Sequence, residues 1–171
     1  YHKDGRLLSI EYPNGILESL IYEYIKSLEY VGYQLKRVEN NYGKYIDFYY
    51  YKNGKVQYVG DGVSHTWEYK YDTGGRLVKV INPDGKEKNY HYEDSKFPNS
   101  LTGLTDERSV RYSTFTYNEK GLASSSYLGD PSLDPAERIS NVTVEYQGNY
   151  GFNNVTDSNG NITTYRFPRA N

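Results

Sequence analysis

Pairs of residues spaced two apart, mostly tyrosines, recur along the chain and limit its fold more than any other feature. They are Tyr1/Lys3, Tyr22/Tyr24, Tyr49/Tyr51, Tyr69/Tyr71, Tyr90/Tyr92, Phe115/Tyr117, Val144/Tyr146 and Tyr165/Phe167. Successive spacings are 21, 27, 20, 21, 25, 29 and 21 residues, so the unit is about 20 residues long and longer intervals read as insertions. A fixed period of this length marks a repeat architecture, in which no unit buries its apolar face alone. Between the pairs lie turn signals. Asp72-Thr73-Gly74-Gly75 and Asn82-Pro83-Asp84-Gly85 flank Arg76-Leu77-Val78-Lys79-Val80-Ile81, with Tyr90-His91-Tyr92 beyond. Glycine accepts positive φ and proline presets the entry of a turn, so the reading is strand, turn, strand, turn, strand.

Alternation assigns the faces. His65, Trp67, Tyr69 and Tyr71 fall on one side, and Thr66, Glu68, Lys70 and Asp72 on the other. A strand separates these classes and a helix does not. Val142, Val144 and Tyr146 against Thr143 and Glu145 repeat the split. The expectation is an all-β antiparallel meander of short hairpins with one aromatic-aliphatic face and one mostly polar face. One segment also fits a helix: Leu20, Ile21, Tyr24, Ile25, Leu28 and Val31 fall at helical spacing. The repeat register favours a strand to about Ile25, an inserted connection, and a next strand near Tyr33–Val38.

Composition narrows the function. The 171 residues include 22 tyrosines, 5 phenylalanines and 1 tryptophan, and neither cysteine nor methionine. Tyrosine buries a ring and keeps its hydroxyl wet or bonded, which suits a half-buried sheet. Twenty basic and 22 acidic side chains leave a formal charge of −2, without a basic run to grip nucleic acid. Mean hydropathy is −0.87, and no stretch approaches the roughly 18 apolar residues a membrane span needs. Without cysteine there is no disulfide scaffold or thiolate metal site. The chain begins at Tyr1 without a signal-peptide pattern, and is expected to be a fragment or a processed product.

These residues resemble the tyrosine-aspartate (YD) repeats of the Rhs proteins, relatives of bacterial toxin-complex subunits and of teneurins. Tyr71-Asp72, Gly75-Arg76-Leu77 and Pro83-Asp84-Gly85 match the family repeat, and Asp4-Gly5-Arg6-Leu7 with Pro13-Asn14-Gly15 matches it again. Phe97–Glu107 and Val155–Asn161 resemble further segments of Rhs cores. The likeness covers nearly the whole of residues 1–171, as about seven repeats of roughly 20–29 residues. Tyr24-Ile25 and Tyr51-Lys52 lack the aspartate, Tyr117-Asn118 carries asparagine, and Gly54-Lys55-Val56 and Gly121-Leu122-Ala123 lack the arginine. No aspartate-proline-glycine-rich terminal motif is found, so the expectation is a piece of shell wall with no separate toxin domain.

The resemblance implies a non-catalytic segment of a spiralling β-shell that encloses a C-terminal toxin for contact-dependent or secreted delivery in bacterial competition. It implies a secreted or cell-surface place in a Gram-negative bacterium. Its implied partners are other segments of the parent Rhs protein and the enclosed toxin. The rival reading is an extracellular carbohydrate-binding or adhesion module using its aromatic face, with Trp67, Tyr69 and Tyr71 as contacts.

The remaining candidates read as ordinary structure. His2, His65 and His91 lack zinc-ligand spacing, and no Gly-x-Ser-x-Gly elbow occurs, leaving Ser124-Ser125-Ser126 as strand and loop. No enzymatic activity, cofactor or metal is expected. Asp157-Ser158-Asn159-Gly160-Asn161 lacks the other ligands of a calcium loop and reads as a turn. Asn141, Asn154 and Asn161 head Asn-x-Thr triplets, glycan acceptors only in a eukaryotic secretory pathway. Cut from a longer spiral, the chain is expected to self-associate through strand edges near Tyr1–Ile10 and Thr163–Phe167, with Pro168 limiting pairing at the second.

Overall fold

A computed structural model describes residues 1–148 and 151–167; Pro168 lies outside them. The fold is all-β. Fourteen strands divide between two compact units, Tyr1–Lys86 and Glu87–Asn171. The first holds β1 (Ser9–Glu11), β2 (Leu17–Lys26), β3 (Val31–Asn40), β4 (Tyr45–Tyr50), β5 (Val56–Gly60), β6 (Thr66–Tyr71) and β7 (Leu77–Ile81). The second holds β8 (Glu87–His91), β9 (Gly103–Thr105), β10 (Arg111–Tyr117), β11 (Ala123–Leu128), β12 (Ile139–Gln147), β13 (Phe152–Thr156) and β14 (Ile162–Arg166). Within each unit the strands pair antiparallel in chain order, and each packs only on its neighbours in sequence.

One turn geometry builds most of these hairpins. In nine turns the first residue donates its N–H to the carbonyl of the fifth, and the fourth donates back to the first, all at 2.8–3.0 Å. They are His2–Arg6, Tyr12–Ile16, Asn40–Lys44, Tyr51–Lys55, Asp72–Arg76, Asn82–Lys86, Asp106–Val110, Asn118–Leu122 and Asp157–Asn161. This is a type I turn closed by a left-handed residue, a common three-residue hairpin loop. The fourth position must take positive φ. Gly75 and Gly85 hold +81° and +80° there, as the alternating turns required. Ser109 fills the same position at +62°, a conformation that strains an L side chain.

The segment with two readings is a long hairpin. β2 and β3 each run ten residues, joined by Ser27–Tyr30, whose Ser27 Oγ accepts the N–H groups of Glu29 and Tyr30. The extra length therefore went into the strands rather than an inserted connection, and β3 starts at Val31 rather than near Tyr33. The first strand edge lies at Ser9–Glu11, because residues 2–6 fold into a turn.

The repeat frame also shifts. Tyr71 and Tyr117 stand immediately before a capped turn, and the residue equivalent to them is Tyr50, not Tyr51. All three mark a β-bulge: Tyr71 faces Leu77 while Lys70 faces Lys79, with Tyr50/Val56 and Tyr117/Ala123 repeating the step. Burial raises the pKa of all three hydroxyls.

Directly paired residues share a face. Phe48, Val59 and Trp67 form one cross-strand row and Tyr69 with Val80 continues that face. The opposite face is less polar than the alternation suggests, since Tyr49, Tyr58, Glu68 and Ile81 form a row there. Burial is sparse. Among the described residues the buried hydrophobics are Val80 in the first unit and Tyr127 in the second, where Thr102, Asp106, Ser113 and Thr114 are also buried.

The turn geometry predicts a rank order of stability. Gly85→Val should cost about 1–2 kcal/mol through its left-handed backbone, and Gly75→Val about as much, because the atom its Cβ would meet, Lys55 Nζ at 2.9 Å, ends a flexible side chain that can move aside. Lys70→Val at an exposed strand site should stay within about 0.5 kcal/mol, and Ser109→Gly should relieve strain and not destabilise. Urea unfolding midpoints check the order; equal midpoints for Gly85→Val and Lys70→Val would refute the turn assignment.

Candidate functional site

Each of the nine turns carries an aspartate or asparagine side chain that accepts the N–H of its fifth residue. In five turns the acceptor is the first residue. Asn40 bonds Lys44, Asp72 bonds Arg76, Asp106 bonds Val110, Asn118 bonds Leu122 and Asp157 bonds Asn161, at 2.9–3.1 Å. In the other four it is the third residue: Asp4, Asn14, Asn53 and Asp84, each at 3.2 Å. These are Asx caps. They explain how the departures from the repeat keep its shape. Asn118 accepts with its amide Oδ1 where an aspartate would use a carboxylate oxygen, and Asn53 caps the Tyr51 turn, where the first residue cannot.

The charged caps do more. Asp72 Oδ2 accepts the Arg76 guanidinium at 2.6 Å, and Asp106 accepts that of Arg108 at 2.5–2.8 Å. The Arg76 N–H and guanidinium hold the Asp72 carboxyl below the usual carboxylate range, and Lys86, Arg108 and Asn161 do the same for Asp84, Asp106 and Asp157. Asp157 and Asn161, candidates for a calcium loop, are thus turn-capping groups.

Tyr71 packs edge-to-face on Tyr51 with ring centroids 6.2 Å apart, and Lys55 Nζ lies 5.2 Å from its ring while bonding Gly75 O at 2.8 Å. The Tyr51 hydroxyl donates to Tyr69 O at 3.2 Å. Tyr71, Asp72, Gly75, Arg76 and Leu77 therefore form one structural cluster around a turn. Tyrosine hydroxyls tie strands elsewhere: Tyr50 to Leu35 O at 2.6 Å, Tyr117 to Leu101 O at 2.7 Å and Tyr146 to Ala123 O at 2.8 Å. Tyr90 lies opposite Leu104 in the second unit, where Tyr92 just follows β8. Ser124 and Ser125 bond Thr116 Oγ1 across β10 and β11.

Trp67 has a different setting from Tyr69 and Tyr71. It lines an open depression of about 480 Å³ with Ser64, His65, Asn82, Pro83 and Asp84. Two turns form its walls, the β5–β6 connection and the turn that follows β7. Asp61 anchors the first: its Oδ1 accepts the N–H groups of Val63, Ser64 and His65 at 3.0–3.2 Å, and its Oδ2 meets His65 Nδ1 at 2.5 Å. The His65 hydrogen bond, then the backbone N–H groups, hold Asp61 far below the carboxylate range.

Three further features carried no clear sequence signal. An open trough of about 920 Å³ lies over β2–β4, lined by Ile21, Ile25 and Tyr49 among others. Its ion pairs, Arg37–Asp47 at 2.6 Å and Glu23–Lys36 at 3.1 Å, join residues far apart in the chain. In the second unit Arg111, with 10% of its side chain exposed, bonds both Glu93 oxygens at 2.9 Å and Thr102 O at 2.9 Å, pinning the loop between β8 and β9. His91 lies beside it, its Nε2 2.7 Å from Thr105 Oγ1, and burial followed by the Arg111 charge lowers its pKa.

No family model matches the chain, and no curated protein is found similar to it.

The caps predict an acid response with a definite sign. A carboxyl whose folded pKa lies below its unfolded value of about 3.9 stabilises fully above that value and loses the contribution as pH falls through the folded pKa. The urea midpoint should therefore decline below about pH 4, and less steeply in Asp72→Asn, which keeps the amide acceptor. At pH 7, Asp72→Asn should lower the melting temperature by no more than about half the drop caused by Asp72→Ala, which removes the cap. Equal effects of the two variants would show that the cap contributes nothing.

Proposed function

We propose that the chain is a non-catalytic wall segment of a bacterial Rhs-type shell, which encloses a toxic polypeptide until delivery. One observation carries the reading: within each unit a strand touches only its sequence neighbours, and almost no apolar side chain is fully buried. Stability in such a sheet is a sum of nearest-neighbour terms, as in other repeat proteins, and the sheet extends by adding hairpins. A wall needs that property and no reactive centre. The repeated capped turn and the tyrosine before it supply the unit, and the likeness of Tyr71-Asp72, Gly75-Arg76-Leu77 and Pro83-Asp84-Gly85 to YD repeats supports the assignment. Secretion to, or display on, the surface of a Gram-negative cell belongs to the same reading.

Protease protection tests it. In the parent polypeptide, the segment downstream of this region should resist a protease that digests the same segment expressed alone, and should lose that resistance when the wall is denatured. Equal digestion in both settings would overturn the proposal. The isolated chain offers a second check. Among the described residues β1 pairs only with β2, and β14, exposed along all five residues, pairs only with β13. Such edges recruit other strands. Light scattering should give a mass above 19.8 kDa at high protein concentration; a strict monomer would mean that both edges are blunted.

A further inference from the structure

The depression at Trp67 has a chemistry that a wall does not use. The half-buried indole forms an apolar floor between two turns, and polar groups of three kinds rim it: the Ser64 hydroxyl, the His65 imidazole and the Asn82–Asp84 turn. We infer that this depression binds a neutral carbohydrate, with one pyranose ring laid against the indole.

The argument is one of matching groups. A sugar ring presents C–H bonds on its face and hydroxyls around its rim, so its receptor needs an aromatic plate edged by groups that donate and accept hydrogen bonds. The Asp61–His65 pair sets one of these groups. A carboxylate only accepts, so the contact between Asp61 Oδ2 and His65 Nδ1 puts the hydrogen on Nδ1. The imidazole is thereby held in the lining of the depression, and Nε2 is the ring nitrogen that a ligand hydroxyl would meet. With 59% of its side chain exposed, the ring is reachable from solvent.

Hydrogen bonding separates this ligand from the other class an indole attracts, the cations. Two carboxylates stand near the depression, and both oxygens of each are already bonded. Asp61 accepts from His65 Nδ1 and three backbone N–H groups, and Asp84 from the Lys86 N–H at 3.2 Å and Lys86 Nζ at 2.9 Å. Neither carboxylate keeps an oxygen without a partner to draw an ammonium group. Tyr69 and Tyr71 do not take part: Tyr71 is packed against Tyr51, and Tyr69 faces Val80 across the strand pair. The site is thus one ring wide, and its affinity should be millimolar.

Trp67 is the single tryptophan of the chain, so its fluorescence reports occupancy of the depression directly. The full chain is titrated with cellobiose, with N,N′-diacetylchitobiose and with choline chloride. One of the disaccharides should produce a saturable change in emission and choline none. His65→Ala should weaken the disaccharide at least about fivefold with an unchanged circular dichroism spectrum, and Tyr165→Ser on β14 should leave the isotherm as it was. The inference is overturned if neither disaccharide gives a saturable change up to roughly 50 mM, if choline saturates instead, or if His65→Ala binds as tightly as the parent. Protease protection of a downstream segment does not depend on any of these outcomes, so the two proposals fail separately.

Discussion

Most hairpins here depend on one backbone arrangement, a type I turn whose fourth residue is left-handed and whose fifth N–H is taken by an Asx side chain. The two halves of that arrangement solve separate problems. The left-handed residue reverses the chain with the twist that antiparallel strands require. The cap occupies a donor that would otherwise compete with the first ladder bond. Because both are local, each hairpin is specified by five consecutive residues and needs no distant contact to choose its register. A chain built this way can lengthen by repetition without a new core.

The same locality leaves an energetic gap, and tyrosine fills it. A sheet with few fully buried side chains gains little from a conventional core. Tyr50, Tyr71 and Tyr117 put their half-buried rings into the bulge beside their turns, and the Tyr50 and Tyr117 hydroxyls reach a carbonyl on the neighbouring strand or loop. Leucine would bury comparable area and leave the carbonyl to water. Phenylalanine would stack and bond nothing. Tyrosine does both jobs at a half-buried position, which accounts for its abundance.

How much of this was legible follows from the range of each interaction. The turns were readable because glycine and Asx stand at fixed offsets within five residues, and the all-β meander followed from them. The repeat frame was not readable at Tyr49-Tyr50-Tyr51, where three tyrosines in a row fit any frame; only the bulge opposite Val56 singles out Tyr50. The β2–β3 hairpin was ambiguous because Leu20, Tyr24 and Leu28 satisfy helical spacing as well as strand alternation. Cross-strand register decided it, and register is a property of two segments. The Arg37–Asp47 and Glu93–Arg111 pairs were invisible for that reason too. Trp67 stood out by composition alone, yet its neighbours Asn82, Pro83 and Asp84 come from a turn two strands onward.

Trp67 and Tyr71 have opposite settings on one face of one strand. Both residues belong to β6 and point the same way. Tyr71 sits beside the Asp72 turn, where Tyr51 and Lys55 arrive from the preceding hairpin and cover its ring. Trp67 sits at the other end, where the β5–β6 connection departs from the capped pattern: Gly62, not a fourth residue, carries the positive φ, at +72°, and Asp61 gathers three N–H groups at once. His65, held by Asp61, and the Trp67 indole line the same open depression. The turn beside Tyr71 follows the repeat and packs, and the depression at Trp67 lies where the turn is irregular. At the regular turn the groups around Tyr71 are taken up in holding neighbouring strands, whereas the irregular connection leaves Trp67 and His65 lining an open depression.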